Sequence, residues 1–573
     1  MKRLSQLGNV LSSRSGLWGL GILAMVVAGF AIVIPALRLN SENAPEPELP
    51  LKQGAVATSQ HLATQVGIDV LESGGNAIDA AVAIGYALAV VHPCCGNLGG
   101  GGFMTVRFAD GEETFLNFRE ISPAALTPEI YQTLKDAENG WQEAGVPGTV
   151  AGLEYAREKY GTKSRSELLA PAIALAQEGF VLKPGDAEIL ARNEQKLKDS
   201  TLQKVFFPGG QLVGAGDTLV QSALANSLLE IADQGPSVFY EGKIAAEIVA
   251  TSQTDGGVLT QEDLAAYEVI ESEPLACDYR DYELITTPLP GGGLTVCQIL
   301  GLLDRFPTQR VAAIDGTGHH LLLSTMSFAF RERNKFFGDP RFTEVDPDDF
   351  LDIDYLQQLT QEIPRDRPPD INVLPIPEGY ETTHYSVVDP EGNAVSVTYT
   401  INGFFGNGIA LPESGFFLNN ELDDFLEPNK IGFELDHPNA VGPRKQPLSS
   451  MSPTIVTKDD ELVYVLGSPG GPTITTTVAQ ILVNLIDRQQ PLQEAIAAGK
   501  LHTQGQENRV VAEEITLTPE LRSQLEDYGY GLTTFKQWGA VTAIAVQSDG
   551  QLIAVTDPRR PAGAALTTQP DID

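Results

Sequence analysis

A threonine hydroxyl becomes a serviceable nucleophile when its own α-amino group is free to take the proton, and residues 381–402 are arranged for that chemistry. Two alternating, β-branched segments, residues 384–389 and Ala394–Thr400, flank the turn Pro390-Glu391-Gly392-Asn393, the composition of a short β-hairpin. Folding about that turn pairs residues whose numbers sum to about 783, which puts Thr382 opposite Thr400 or Ile401 and brings two hydroxyls together at the open end. A cut between Glu381 and Thr382 would release the amine. Residues 363–380 carry Pro364, Pro368, Pro369, Pro375 and Pro377, so they read as an extended, exposed approach to that cut. Uncut, the same residues make an ordinary surface hairpin behind a proline-rich connection.

Acyl chemistry also needs a partner for the oxyanion. Ser468-Pro469-Gly470-Gly471-Pro472 joins a strand-like run, residues 462–466, to a helix-like one, Thr473–Ile486. The amides of Gly470 and Gly471, at a glycine turn before a helix, can point at developing negative charge with no side chain in the way. Other charged and hydroxyl groups are ambiguous by type alone. Arg119 is one arginine among many, the acids of residues 419–425 read as a solvated loop or a cation site, and Ser449-Ser450 is without meaning in isolation. The glycine-rich stretch Cys95-Gly96-Asn97-Leu98-Gly99-Gly100-Gly101-Gly102-Phe103 lacks a Lys-Ser/Thr ending and runs into a strand-like segment, so it is not a phosphate loop.

Thr382-Thr383-His384-Tyr385-Ser386-Val387-Val388-Asp389, followed by Gly392-Asn393-Ala394-Val395, resembles the small-subunit start of the γ-glutamyltranspeptidases, also called glutathione hydrolases. Further motifs in that family's order run from Gly54 to Arg559, among them the glycine-rich stretch, Phe118-Arg119-Glu120, Pro288-Leu289-Pro290-Gly291-Gly292-Gly293, Gly338-Asp339-Pro340 and Pro447-Leu448-Ser449-Ser450-Met451-Ser452-Pro453. The resemblance implies an α+β N-terminal nucleophile hydrolase, a four-layer αββα sandwich of two antiparallel sheets between helical layers. It implies Thr382 as nucleophile, Thr400 orienting its hydroxyl, and Gly470 and Gly471 as oxyanion hole. Arg119, Ser449 and Ser450 would hold the α-carboxylate of a γ-glutamyl group, and Asn402, Glu421 and Asp424 its α-ammonium. A planar guanidinium suits a carboxylate better than an ammonium does. The implied substrates are glutathione and other γ-glutamyl compounds, with water, amino acids or peptides as acceptors, and with no cofactor. Residues 426–441 stand where the family has a substrate-covering loop, in a shortened form.

The net charge of -37 repels nucleic acid and anionic lipid alike, which argues against either as a partner. Residues 16–37 carry no charge and follow Lys2, Arg3 and Arg14, the pattern of a membrane anchor or signal segment with its amino-terminal end inside. No clear cleavage site follows, so the balance tips to an anchor, with the catalytic body on the periplasmic or extracellular side. The chain then divides into a basic segment (1–15), the apolar segment (16–37), a linker (38–53), a large subunit (54–381) and a small subunit (382–573). Cys94, Cys95, Cys277 and Cys297 match no tetrahedral zinc spacing, so no metal is implied. Cys277 with Cys297 could form a disulfide, but buried thiols are the favoured reading.

Helices are expected from residue 58 to 72 with Thr58 or Ser59 as cap, over Ala77–Val91 capped by Asn76, from Val146 to Tyr160, and over residues 166–178 and 221–232. Residues 543–547 and 552–556 read as a closing hairpin, and the tail after Arg560 carries no signal. Two other functions compete: a related acylase acting on β-lactam side chains or poly-γ-glutamate, and a membrane-tethered binding protein that never matures.

Overall fold

Alternation of β-branched and aromatic residues gives Thr383–Val388 and Ala394–Thr400 their strands, and the computed structural model pairs them antiparallel about the expected turn. The structure describes residues 53–569 except 138, 139, 372, 377, 380 and 428–435. The basic segment, the expected anchor and nearly all of the linker lie outside the described residues, as does the middle of the expected covering loop. Among the described residues no helix is long and apolar enough to cross a membrane.

The hairpin is not on the surface. Every residue of both strands is buried, because other strands flank it on each side and a layer covers each face. Its sheet has seven strands in the order Ala564–Thr567, Ala55–Thr58, Thr383–Val388, Ala394–Thr400, Gly101–Arg107, Glu113–Asn117, Ile270–Ser272, all antiparallel. A second sheet of six orders Leu552–Thr556, Thr542–Val546, Glu461–Gly467, Thr454–Lys458, Tyr282–Thr286, Leu275–Tyr279, again antiparallel. The sheets pack face to face, with His61–Glu72, Ala77–Val91 and Thr149–Tyr160 against the first and Gly293–Asp304 and Thr473–Ile486 against the second.

The period-two alternation decides which side chains meet which layer. Tyr385 and Val387 face the helices and join their apolar core, while Val388 packs with Ile455, Val465 and Ile544 between the sheets. Polar groups between the sheets are satisfied by hydroxyl-to-carbonyl bonds: Thr542 Oγ1 to His384 O at 3.2 Å and Ser396 Oγ to Leu466 O at 3.2 Å. His384 is held neutral there, its pKa lowered to about 3 by burial.

Two expectations about local structure need correction. The first helix is His61–Glu72 and its cap is Gln60, whose side chain accepts from Leu62 N, because residues 55–58 are taken by a strand. The tail is not featureless: Ala564–Thr567 pairs with Ala55–Thr58 and closes the sheet edge. Asn76 caps Ala77–Val91 in a capping box with Asp79, as the sequence indicates. The expected closing hairpin, Thr542–Val546 with Leu552–Thr556, forms an edge of the second sheet. The favoured reading of the cysteines as thiols is also overturned. Cys277 and Cys297 are bonded across a Cα separation of 6.0 Å, joining the edge strand to the helix behind it, and Cys94 is bonded to Cys95. Residues 50–573 form one compact unit, and chain from both sides of the expected cut at residues 381–382 enters the same sheet.

Candidate active site

The ladder runs from Ala394 opposite Val388 to Tyr399 opposite Thr383, so paired numbers sum to 782, and the next step puts Thr382 level with Thr400. Thr382 is 4% exposed and immediately precedes its strand. The chain is continuous here, and the Thr400 hydroxyl reaches one residue back from Thr382: Oγ1 donates to the Glu381 carbonyl oxygen at 2.8 Å. The expectation was a contact with the nucleophile's own hydroxyl. In turn Asn402 N donates to Thr400 Oγ1 at 2.7 Å and Glu381 N donates to Asn402 O at 3.2 Å, which closes a small network around the bond to be cut. Asn402 has φ +72°, and that turn out of the strand lets its backbone and side chain face opposite partners.

Gly470 and Gly471 leave the strand Glu461–Gly467 with φ +134° and +54°, and Thr473 Oγ1 pins the turn by donating to Gly470 O at 2.7 Å. A Cβ on Gly470 would meet that hydroxyl at 2.5 Å, so the turn requires glycine on two counts. Neither glycine amide donates a hydrogen bond within the described residues. Gly470 and Glu381 line one cavity of about 530 Å³, whose wall also includes Phe404, Trp538, Arg560 and His92. Arg560 Nη2 bonds Glu381 Oε2 at 2.5 Å, and its guanidinium lies 5.8 Å from the Phe404 ring centre.

The other expected residues, Arg119, Asn402, Glu421, Asp424, Ser449 and Ser450, are all buried and are not among the residues that line that cavity. Arg119 is fully buried. It pairs with Glu421, reaches Asp424 Oδ2 at 2.9 Å, and donates to Pro447 O at 3.0 Å and Leu448 O at 3.1 Å, which engages four of the five N–H groups a guanidinium has. Arg119 therefore pairs here with the two acids expected to serve an ammonium. Asn402 Nδ2 donates to Asp424 Oδ1 at 3.2 Å, so the expected grouping of Asn402, Glu421 and Asp424 is present. Ser450 joins the cluster, but Ser449 Oγ turns back to accept from Met451 N at 3.1 Å.

Two chain residues that sequence reasoning left aside complete this cluster. Gly379 N donates to Asp424 Oδ1 at 3.2 Å, and the Glu378 carboxylate pairs with Arg333 while accepting from Ser450 Oγ at 2.9 Å. The proline-rich approach is thus only partly exposed: Ile371 and Ile376 are buried and the Glu378 side chain is 3% exposed. Arg333 could have been found from the helix Gly316–Phe336, where it continues the apolar stripe of Met326, Ala329 and Phe330. A charge on a buried stripe needs a buried partner.

Burial dominates the electrostatics. It pushes Glu421 up to about 8 against the opposing pull of Arg119, and pushes Glu120 to about 8. It raises Asp424, with Glu421 adding to the effect, and raises Glu378 despite Arg333. Four buried carboxyls share two guanidiniums, so the cluster can be neutral only by keeping protons.

Residues 63–567 match the family model described as Gamma-glutamyltranspeptidase. The chain is 40% identical over 569 residues to a glutathione hydrolase proenzyme of Pseudomonas sp. (strain A14), covering 94% of this chain and 98% of that one. It is 41% identical over 532 residues to a glutathione hydrolase proenzyme of Escherichia coli (strain K12), covering 89% and 90%. Among solved structures, a cephalosporin acylase from Bacillus halodurans superposes with TM-score 0.80 at 28% identity, over 92% of this chain and 99% of that chain. A γ-glutamyltranspeptidase from Helicobacter pylori superposes with TM-score 0.53 at 38% identity, over 58% and 96%.

Proposed function

We propose, for a chain that belongs to the γ-glutamyltranspeptidase family, that it cuts itself before Thr382 and then hydrolyses the γ-glutamyl amide of glutathione and related compounds, passing the group to water or to an amino acid or peptide. The observation that carries this reading is the hydrogen bond from Thr400 to the Glu381 carbonyl. It polarises the carbonyl that Thr382 Oγ1 must attack. Attack forms an ester between Glu381 and Thr382 and releases the amide nitrogen as an amine; water then hydrolyses the ester, giving a Glu381 carboxylate and a free Thr382 amino group.

In turnover the same hydroxyl attacks the γ-glutamyl carbonyl, with the new amine taking and returning the proton. Gly470 and Gly471 offer their amides to the oxyanion, from a turn that borders the cavity shared with Glu381. The buried cluster takes the free amino-acid head. In the uncut chain Gly379 presents an N–H to Asp424 and Glu378 presents a carboxylate to Ser450, the same two kinds of group an amino-acid head would bring. Glu378 and Gly379 must therefore withdraw before substrate enters, and Arg119 must give up part of its pairing to receive a carboxylate. The two-sheet architecture is read as the N-terminal nucleophile hydrolase sandwich. An apolar segment at residues 16–37 would tether the body across a membrane or direct its export, and the Cys277–Cys297 bond suits an oxidising compartment.

The superposition of the cephalosporin acylase over 92% of this chain motivates a second reading, an acylase of β-lactam side chains. Purified, self-cleaved protein assayed with glutathione, with and without a dipeptide acceptor, and separately with a cephalosporin side-chain amide, decides between them. Hydrolysis of the cephalosporin with no release from glutathione would overturn the proposal.

A further inference from the structure

Among the described residues one group of metal-ligating side chains lies outside the catalytic reading: His92, Cys94 and Cys95. The helix Ala77–Val91 ends into this turn, where Cys95 N and Gly96 N both donate to His92 O at 3.1 and 2.9 Å and fold the chain back on itself. The turn therefore gathers three donors from four successive residues. Cys94 Sγ is 3.5 Å from His92 Nε2, and all three donor atoms lie within 4.8 Å of one another, each residue being buried. Around a tetrahedral ion with metal–sulfur distances of about 2.3 Å and metal–nitrogen distances of about 2.0 Å, the sulfur–nitrogen edge is about 3.5 Å.

We propose that, once Cys94 and Cys95 are reduced, they and His92 bind one thiophilic divalent cation of the zinc class, at a turn whose His92 also lines the cavity beside Glu381 and Gly470. Two thiolates and an imidazole form a donor set that selects soft and borderline ions and leaves a position open. Cysteine spacing alone does not suggest this site, because the third donor is a histidine two residues away and the two cysteines are adjacent.

The two sulfurs are bonded to each other in the structure, so the site forms only after reduction. A small thiol RSH attacks one sulfur and releases the other as a thiol; a second RSH resolves the mixed disulfide, giving RSSR and two protein thiols. The cation then displaces both thiol protons to water. The turn is tied to two neighbouring loops: Phe405 N donates to Cys94 O at 3.0 Å, and Asn97 donates to Cys95 O at 3.0 Å while accepting from Gly100 N at 2.8 Å. Occupancy of the site would be felt in the turn after Asn402 and in the glycine-rich loop.

The test is a Cd²⁺ titration of the full chain after reduction with a phosphine, followed by the sulfur-to-cadmium ultraviolet absorption and by equilibrium dialysis. The expected result is one Cd²⁺ per chain for the parent, and the same for a Cys277→Ser/Cys297→Ser double variant. Cys94→Ser and Cys95→Ser should lose stoichiometric binding, and His92→Ala should weaken it roughly tenfold or more. Thermal unfolding of each variant separates loss of the site from loss of the fold, with Cys95→Ala and His92→Gln as replacements for any variant that does not fold. A reduced parent that binds no stoichiometric Cd²⁺ overturns the proposal. So does a His92→Ala or His92→Gln chain that binds like the parent, which would show only a dithiol.

Discussion

The Thr400 hydroxyl donates to the Glu381 carbonyl oxygen at 2.8 Å across the open end of the central hairpin. It meets the bond to be broken and not the group that breaks it. That carbonyl becomes the oxyanion of self-cleavage, so Thr400→Val, which keeps shape and β-branching, should slow cleavage by roughly tenfold to a hundredfold. Thr400→Ser should retain most of the rate. Time courses of subunit appearance on denaturing gels measure both, and a valine variant that cleaves at the parental rate would leave the contact without a catalytic role.

Thr382→Ala should remain one chain indefinitely, because no other hydroxyl is in the chain position to attack the Glu381 carbonyl. Amino-terminal sequencing of the parent's small fragment should begin at Thr382. A fragment starting elsewhere, or an alanine variant that still splits, rejects the assignment.

Arg119→Lys keeps the charge but loses the planar fork that reaches Asp424, Pro447 O and Leu448 O together. Catalytic efficiency toward γ-glutamyl substrates should fall about a hundredfold, which corresponds to about 3 kcal/mol. Self-cleavage should continue, since Arg119 does not touch the Thr400–Glu381 network. Unchanged kcat/KM would remove Arg119 from substrate recognition.

The acid cluster sets a pH dependence. Glu421 ionises near 4.5 in an unfolded chain and at about 8 in the folded one, so between those values the folded state binds more protons. Stability of the uncut Thr382→Ala chain should therefore decrease as pH rises through that window, with no contribution from this group below it. Replacing the ionisable group in a Thr382→Ala/Glu421→Gln chain should flatten the decline. Tm measured at steps from acid to mildly alkaline pH tests this, and parallel curves for the two chains would show that Glu421 does not carry it.

Gly379→Ala should delay self-cleavage without abolishing the fold. An added Cβ would meet Asn402 Oδ1 at 1.6 Å and Asn402 O at 2.9 Å, and that carbonyl accepts from Glu381 N. Gly379 and Asn402 must move apart, and the Glu381 amide that bonds Asn402 O is disturbed with them. Cleavage at the parental rate would mean that the approach is not positioned by this contact.

The features legible from residue order are mostly local. The period-two runs on either side of Pro390-Glu391-Gly392-Asn393 specify the hairpin and its register to within one residue, and the Asn76 cap and the Thr473–Ile486 helix after the two glycines depend on neighbours in the chain. The family motifs carried the candidate residues, from Arg119 to Ser450. Tertiary structure alone decided which of them meet. A hairpin reads as a surface feature until strands from residues 55–58 and 101–107 flank it, and nothing local in either strand announces that pairing. Arg119 faces Glu421 and Asp424 across some three hundred residues of chain, and Glu378 and Gly379 join them only because the uncut approach folds inward. Burial there raises the carboxyls of Glu421 and Asp424 even against the pull of Arg119, an effect that acids reading as a solvated loop do not announce. Contacts of that kind depend on packing between distant segments, and sequence periodicity has no access to them.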